Sequence, residues 1–121
     1  MSGPKEIAES YIRLWNETEP SARKELLRSG WTDDAAYVDP LASVSGHDAI
    51  DALVAGVQQR FPGFRFKLIS KPDGHGDHVR FSWSLGPVNS APPIEGSDVV
   101  TTRDGRIAQV IGFLDKVPQQ A

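Results

Sequence analysis

Trp31-Thr32-Asp33-Asp34-Ala35-Ala36-Tyr37-Val38-Asp39-Pro40, followed closely by Ser45-Gly46-His47-Asp48-Ala49-Ile50, is the stretch that decides the fold. It sets a carboxylate, Asp39, between a short apolar segment and a proline. The proline ring pushes the preceding residue out of the α region, so Asp39-Pro40 is an extended or turn dipeptide. Asp39 is thereby held on stiff, non-helical backbone at the edge of whatever the next helix covers. Ser45 with Asp48 reads as a capping box for that helix. Asp33-Asp34 reads as the start and cap of a short turn.

Working outward, the N-terminal side is helical. Pro4 suits a first helical turn, and Ile7, Ala8, Tyr11, Ile12, Leu14 and Trp15 form a stripe at helical spacing. A second helix is expected from Pro20 to Ser29 around Ala22, Leu26 and Leu27, with Gly30 ending it. The third, after Gly46, presents Ile50, Leu53, Val54, Val57 and Phe61 on one face, and Pro62-Gly63 stops it.

From Phe64 the period changes to two. Phe64, Phe66 and Leu68 alternate with Arg65 and Lys67, and after a turn at Pro72–Asp77, Val79, Phe81, Trp83 and Leu85 alternate with Arg80, Ser82 and Ser84. A strand from Ile94 to Thr102 leads into Asp104-Gly105, a hairpin signal, and a last strand from Arg106 to Leu114. Residues 117–121 read as a frayed tail. Helices packed on one face of a curved, mostly antiparallel sheet give an α+β cone-shaped barrel, expected as a single domain over residues 1–121.

Composition excludes several classes. The chain has 121 residues, 39% apolar and 24% charged, with a net charge of −3. It carries no basic footprint for nucleic acid and no apolar run near the ~20 residues that span a bilayer. Its first residues lack the apolar segment of a signal peptide, so the expected place is the cytoplasm. Cysteine is absent, which removes thiol nucleophiles, disulfides and thiolate metal sites. His75 and His78 flank a glycine-rich turn without a third ligand at suitable spacing, so no metal site is expected. His47 is expected to be solvated.

Trp-x-Asp-Asp-Ala-x-x-x-Asp-Pro, then Gly-x-x-x-Ile, resembles the signature of the ketosteroid isomerase and SnoaL-like polyketide cyclase group within the nuclear-transport-factor-2-like fold. The resemblance implies Asp39 as catalytic base, Tyr11 as the oxyanion tyrosine and Asp98 as a protonated acid beside it. It also implies an apolar ligand pocket, no cofactor and a homodimer through the sheet. The chemistry suits these residue types. A base removes a proton next to a carbonyl, and two donors hold the resulting enolate oxygen. Burial would keep Asp98 neutral while Asp39, nearer the mouth, is ionised. The expected pocket wall is Trp15, Leu53, Phe61, Phe81, Trp83, Val110 and Leu114. The tyrosines that support the oxyanion tyrosine in some isomerases have no counterpart, since Trp31 and Val54 stand at the positions that align.

Other readings stand beside this one. Asp39 could accept backbone N–H bonds in the turn at Pro40, and Asp98 could be paired with Arg80. Tyr11 and Trp15 could be core. An epoxide hydrolase of the limonene type would use Asp39, Arg80 and Asp98, although Ser82 stands where its further carboxylate is expected. A non-catalytic ligand-binding or dimerisation module is the third possibility. Ile111 and Phe113 are expected to face outward on the last strand and to supply the dimer contact.

Overall fold

The computed structural model describes residues 3–118. Helix α1, Pro4–Asn16, starts at Gly3, whose N–H donates to Glu6 Oε1 at 2.9 Å. It buries Ile7, Ala8, Tyr11, Leu14 and Trp15, the three-and-four spacing that turns one stripe inward. Helix α2, Pro20–Gly30, is capped by Glu19, which accepts from Ala22 N–H at 2.8 Å. Arg23 is the polar residue on its buried side. Its Nε donates to Asp51 Oδ1 at 2.7 Å and its Nη1 to Gln58 Oε1 at 3.2 Å, tying α2 to α3, His47–Arg60.

The remaining elements are strands: β1 Trp31–Val38, β2 Ser43–Ser45, β3 Phe64–Leu68, β4 Asp73–His75, β5 His78–Pro87, β6 Ile94–Arg103 and β7 Arg106–Lys116. They form one sheet in the order β2-β1-β7-β6-β5-β3, with β4 paired to β5. The β1–β7 pairing is parallel and the others are antiparallel. Register shifts near Gly96 and Thr102, and between Trp31 and Ala36, bend the ladder. An extra residue on one strand of a pair locally kinks and twists the sheet, and here that curvature wraps it around α1. The fold is α+β, with three helices on a curved mixed sheet.

Three local expectations are corrected. Trp31–Val38 is a full strand between α2 and α3, so the strands do not all follow the helices. Its burial does not alternate cleanly, because the register slips between Trp31 and Ala36 and hides the period of two. Asp33 and Asp34 lie inside it and form no turn. Asp34 Oδ1 instead accepts from Thr32 Oγ1 at 2.9 Å and from the Arg103 guanidinium at 2.6 Å. The capping box at Ser45 does not form, since Ser45 is paired in β2 opposite Ala36 and the cap is Gly46, with no side-chain cap bond. Gly46 has φ +88°, a left-handed conformation that glycine adopts without a Cβ penalty, and its N–H donates to Ala35 O at 2.9 Å.

The Asp104-Gly105 hairpin forms as expected, with φ of 55° and 79° at its two central residues. His47 is not simply solvated. Its Nε2 lies 3.2 Å from Trp31 O and 2.9 Å from Thr32 O, fastening the start of α3 to β1. Of the expected tail, Val117 and Pro118 are described and border the cavity considered next, while residues 119–121 lie outside the described residues. No helix among the described residues is long and apolar enough to cross a membrane.

Candidate active site

Between α1, the end of α3 and the concave face of the sheet lies a cavity of about 450 Å³. Helix α1 supplies Tyr11 and Trp15, and α3 ends at its rim with Val57, Arg60 and then Phe61. The sheet supplies Phe66 from β3, Trp83 and Leu85 from β5, Asp98 from β6, and Gly112 with Leu114 from β7. Tyr37 comes from β1, and Asp39 and Leu41 from the turn that follows it.

Tyr11, Asp39 and Asp98 thus border one cavity, as do the expected wall residues Trp15, Phe61, Trp83 and Leu114. Leu53, Phe81 and Val110 do not reach it. Phe81 lies behind the wall, its ring centroid 5.1 Å from that of Tyr11. Val110 is fully enclosed in the core, and Leu53 packs half-buried against that core. A second depression of about 620 Å³ lies by Ser70, Asp73, Arg80, Ser82 and Ser97, where β4 meets the side of the sheet facing away from the helices. Phe81 and Asp98 border this depression too, so Asp98 lies between the two, whereas Tyr11, Trp15, Tyr37, Asp39 and Trp83 line the first cavity.

Asp39 is held from three directions. Its Oδ1 accepts the Leu41 and Ala42 N–H groups at 2.8 Å each, closing the turn around Pro40. Its Oδ2 accepts the Tyr37 hydroxyl at 2.6 Å. A strand places residues i and i+2 on one side, so the spacing of Tyr37 and Asp39 carried the signal for this pair.

Asp98 is only 1% exposed, and neither of its oxygens has a hydrogen-bond partner among the described residues. Phe81 and Gly112 stand opposite it on the neighbouring strands. Gly112 gives it room. A Cβ there would come within 2.8 Å of Asp98 Oδ1 and 3.3 Å of Asp39 Cβ, so both acids lie over the bare glycine. Gly96 does the same for Trp83, whose ring would meet a Cβ at 2.3 Å. The expected alternative of an Arg80–Asp98 pair is not formed. Arg80 instead forks onto Asp73, at 2.9 and 3.2 Å, in the exposed depression. The Asp–Arg–Asp arrangement is therefore not assembled.

Burial dominates the electrostatics. It pushes the Asp98 carboxyl up to about 6, with smaller upward contributions from the charges of Asp39 and Asp115. The Tyr11 hydroxyl and Trp83 indole, both turned toward it, act in the opposite direction. Neither approach satisfies hydrogen-bond geometry. Tyr11 is raised well above its ordinary value by burial and by the negative charge of Asp98. Burial and the bond to Asp39 likewise raise Tyr37. Both tyrosines are therefore O–H donors across the physiological range. Tyr11 is also fixed in place, its ring stacked on Trp31 at 5.9 Å and tilted against Trp15 at 6.2 Å.

Four buried side-chain polar atoms among the described residues lack a partner: Trp15 Nε1, Trp83 Nε1 and the two oxygens of Asp98. All belong to residues lining this one cavity. Unpaired buried polar groups are rare and call for an explanation. No group of three or more His, Cys, Asp or Glu among the described residues is gathered to hold a metal ion.

The family profile described as SnoaL-like domain matches residues 8–110. The chain belongs to the SnoaL-like family. A solved structure of a SnoaL-like protein from Agrobacterium tumefaciens, itself a candidate isomerase, is 40% identical to this SnoaL-like chain. The match covers 95% of this chain and 99% of the other, with a TM-score of 0.90. A candidate ketosteroid isomerase from Kribbella flavida has the same fold at 16% identity, with 95% and 79% covered and a TM-score of 0.69. A candidate SnoaL-like polyketide cyclase from Jannaschia does so at 17% identity, with 95% and 89% covered and a TM-score of 0.70. No curated protein matches the chain.

Proposed function

We propose that this SnoaL-like protein is an isomerase or cyclase that moves a proton next to the carbonyl of an apolar, steroid- or polyketide-like small molecule. The observation that carries this reading is the set of unpaired buried polar atoms, all at one aromatic cavity that also holds a second carboxylate. A ligand oxygen seated there would accept from the donors among those groups. Asp39 is assigned as base. Its Oδ2 takes a proton from the carbon beside the carbonyl, and the C–H electron pair moves to form the enolate. Tyr11 donates to the enolate oxygen, which is where the negative charge develops, and Asp98 joins it as a second donor below about pH 6, where it holds its proton. Asp39 then returns the proton to a different carbon, or the enolate carbon attacks a second carbonyl of the same molecule and closes a ring, the C=O π pair moving onto that carbonyl's oxygen, which takes the proton back from Asp39. The apolar walls keep competing water away.

A ligand-binding module without turnover is the second reading. It is favoured by the way Asp39 Oδ1 is committed to the turn and Oδ2 to Tyr37. A panel of β,γ-unsaturated cyclic ketones in D2O separates the two readings by NMR. Deuterium entry beside the carbonyl is expected with the native chain and should be lost in Asp39→Asn, while ligand affinity changes little. Binding without exchange would leave the module reading standing and sink the enzyme reading.

We propose further that two copies pair through the open face of the sheet. Val38, Val99, Ile111 and Phe113 are 38%, 37%, 38% and 53% exposed there. Val38, Ile111 and Val99 are aligned across three neighbouring strands, which makes them a continuous apolar row.

A further inference from the structure

The charged residues that line the cavity are Asp98, Asp39 and Arg60, and their exposure rises in that order from buried through half-buried to exposed. Arg60 is the last residue of α3, at the rim. Its guanidinium stands over the ring of Phe61, 5.8 Å from the centroid, and Phe61 lines the cavity in turn. Arg23, Arg28, Arg80 and Arg103 are each held in an ion pair, whereas Arg60, like the exposed Arg13 and Arg65, makes no ion pair or side-chain hydrogen bond among the described residues, and of these three it is the one that lines the cavity. A planar fork of donors is thus parked, unused, at the entrance to a pocket whose interior is acidic.

We propose that the substrate bears a carboxylate or similar anion at the end remote from its reacting carbonyl, and that Arg60 binds this group at the rim. The inference rests on the acid–base reading of the same cavity and adds the substrate's chemical class and orientation. A guanidinium matches a carboxylate with two parallel N–H bonds. At the rim the anion stays partly hydrated, so little desolvation opposes the pairing. Inside, the charge on Asp39 repels the same anion. Attraction outside and repulsion inside both direct the neutral carbonyl end inward to Tyr11 and Asp98. Binding energy from the remote group is then available to hold the reacting carbon against Asp39.

The test uses three matched probes: 2-naphthol, 6-hydroxy-2-naphthoate and 6-(aminomethyl)-2-naphthol. Their phenolic oxygen stands in for the enolate oxygen, and fluorescence titration measures their affinities. With the native chain at low salt, the carboxylate probe should bind about fivefold more tightly than 2-naphthol, the size expected of one rim ion pair. That ratio should fall to about one in Arg60→Gln or at high salt and be largely kept in Arg60→Lys. Arg60 is exposed, so neither variant threatens folding. A ratio of one in the native chain, a ratio unchanged in Arg60→Gln, or a preference for the ammonium probe would each overturn the anion site alone. If 2-naphthol itself does not bind, or binds equally well to Tyr11→Phe and Asp98→Leu, the acid–base reading falls and this inference goes with it.

Discussion

Replacing Asp98 by Asn tests whether the buried carboxyl is a neutral donor, and its consequence for stability has a definite sign and size. The carboxyl titrates at about 6 in the fold against an ordinary value of 3.8. Below about pH 4 it is protonated in folded and unfolded chains alike, and its burial carries no charge penalty. Between about pH 4 and 6 the fold keeps the proton that the unfolded chain releases, so rising pH favours unfolding. Above about pH 6 the full cost remains, about 3 kcal/mol. Asp98→Asn removes the titrating group and keeps an N–H donor. The stability of the variant minus that of the native chain should therefore grow by about 2.5 kcal/mol from pH 4 to pH 8. For a chain of this size that is a relative gain of roughly 10 °C in Tm. Thermal or urea unfolding of both proteins across this range measures it, and the titrating groups that do not interact with Asp98 cancel in the difference. A flat difference would mean that Asp98 ionises as it does in water. It could not then donate to an enolate, and the donor role would be lost.

Three further outcomes are expected. Gly112→Ala should cost about 1–3 kcal/mol, the usual size of overpacking. It should also weaken probe binding, because the new methyl meets Asp98 Oδ1 at 2.8 Å inside a closed wall; full retention of both stability and binding would show that the acid is not seated where described. Arg23→Ala should cost roughly 3 kcal/mol in urea unfolding, since it strands Asp51, whose side chain is only 17% exposed. Phe113→Asp should turn a dimer into a monomer in sedimentation, and a native chain that is already monomeric at micromolar concentration would refute pairing through the sheet.

Most elements of the fold were legible because their periodicities are strong. The stripe from Ile7 to Trp15 and the alternation from Val79 to Leu85 each match one period and one buried face. The strand at Trp31–Val38 was not, for a physical reason. Its ladder to β7 slips between Trp31 and Ala36, which leaves Asp33 and Asp34 adjacent and exposed in a pattern that mimics a turn. The start of α3 was misread for a related cause. Ser45 has the chemistry of a cap, but the backbone keeps it in the β2 ladder and gives the cap to Gly46.

In the site, the limit was register. Arg80 was legible as facing with Ser82 and Ser84, and Asp98 as facing with Gly96 and Val100. Whether the two faces are the same depends on which residue of β5 lies opposite Asp98, and no local pattern encodes that. The partner is Phe81. Directly opposed residues share a side of the sheet, so Asp98 goes inward with Phe81, and Arg80, one residue earlier, goes outward to Asp73. A slip of one residue would have reversed both side chains and converted a candidate donor into half of a surface ion pair. Asp39 differs, because its two readings are both realised. Oδ1 closes the turn at Pro40 as an ordinary turn aspartate does, and that bond fixes the carboxylate plane so that Oδ2 meets Tyr37 at the cavity. The structural role thus positions the oxygen to which we assign proton transfer. Removing the Tyr37 hydroxyl would leave that oxygen at the cavity while freeing it of its one donor, so Tyr37 occupies the oxygen that the turn places.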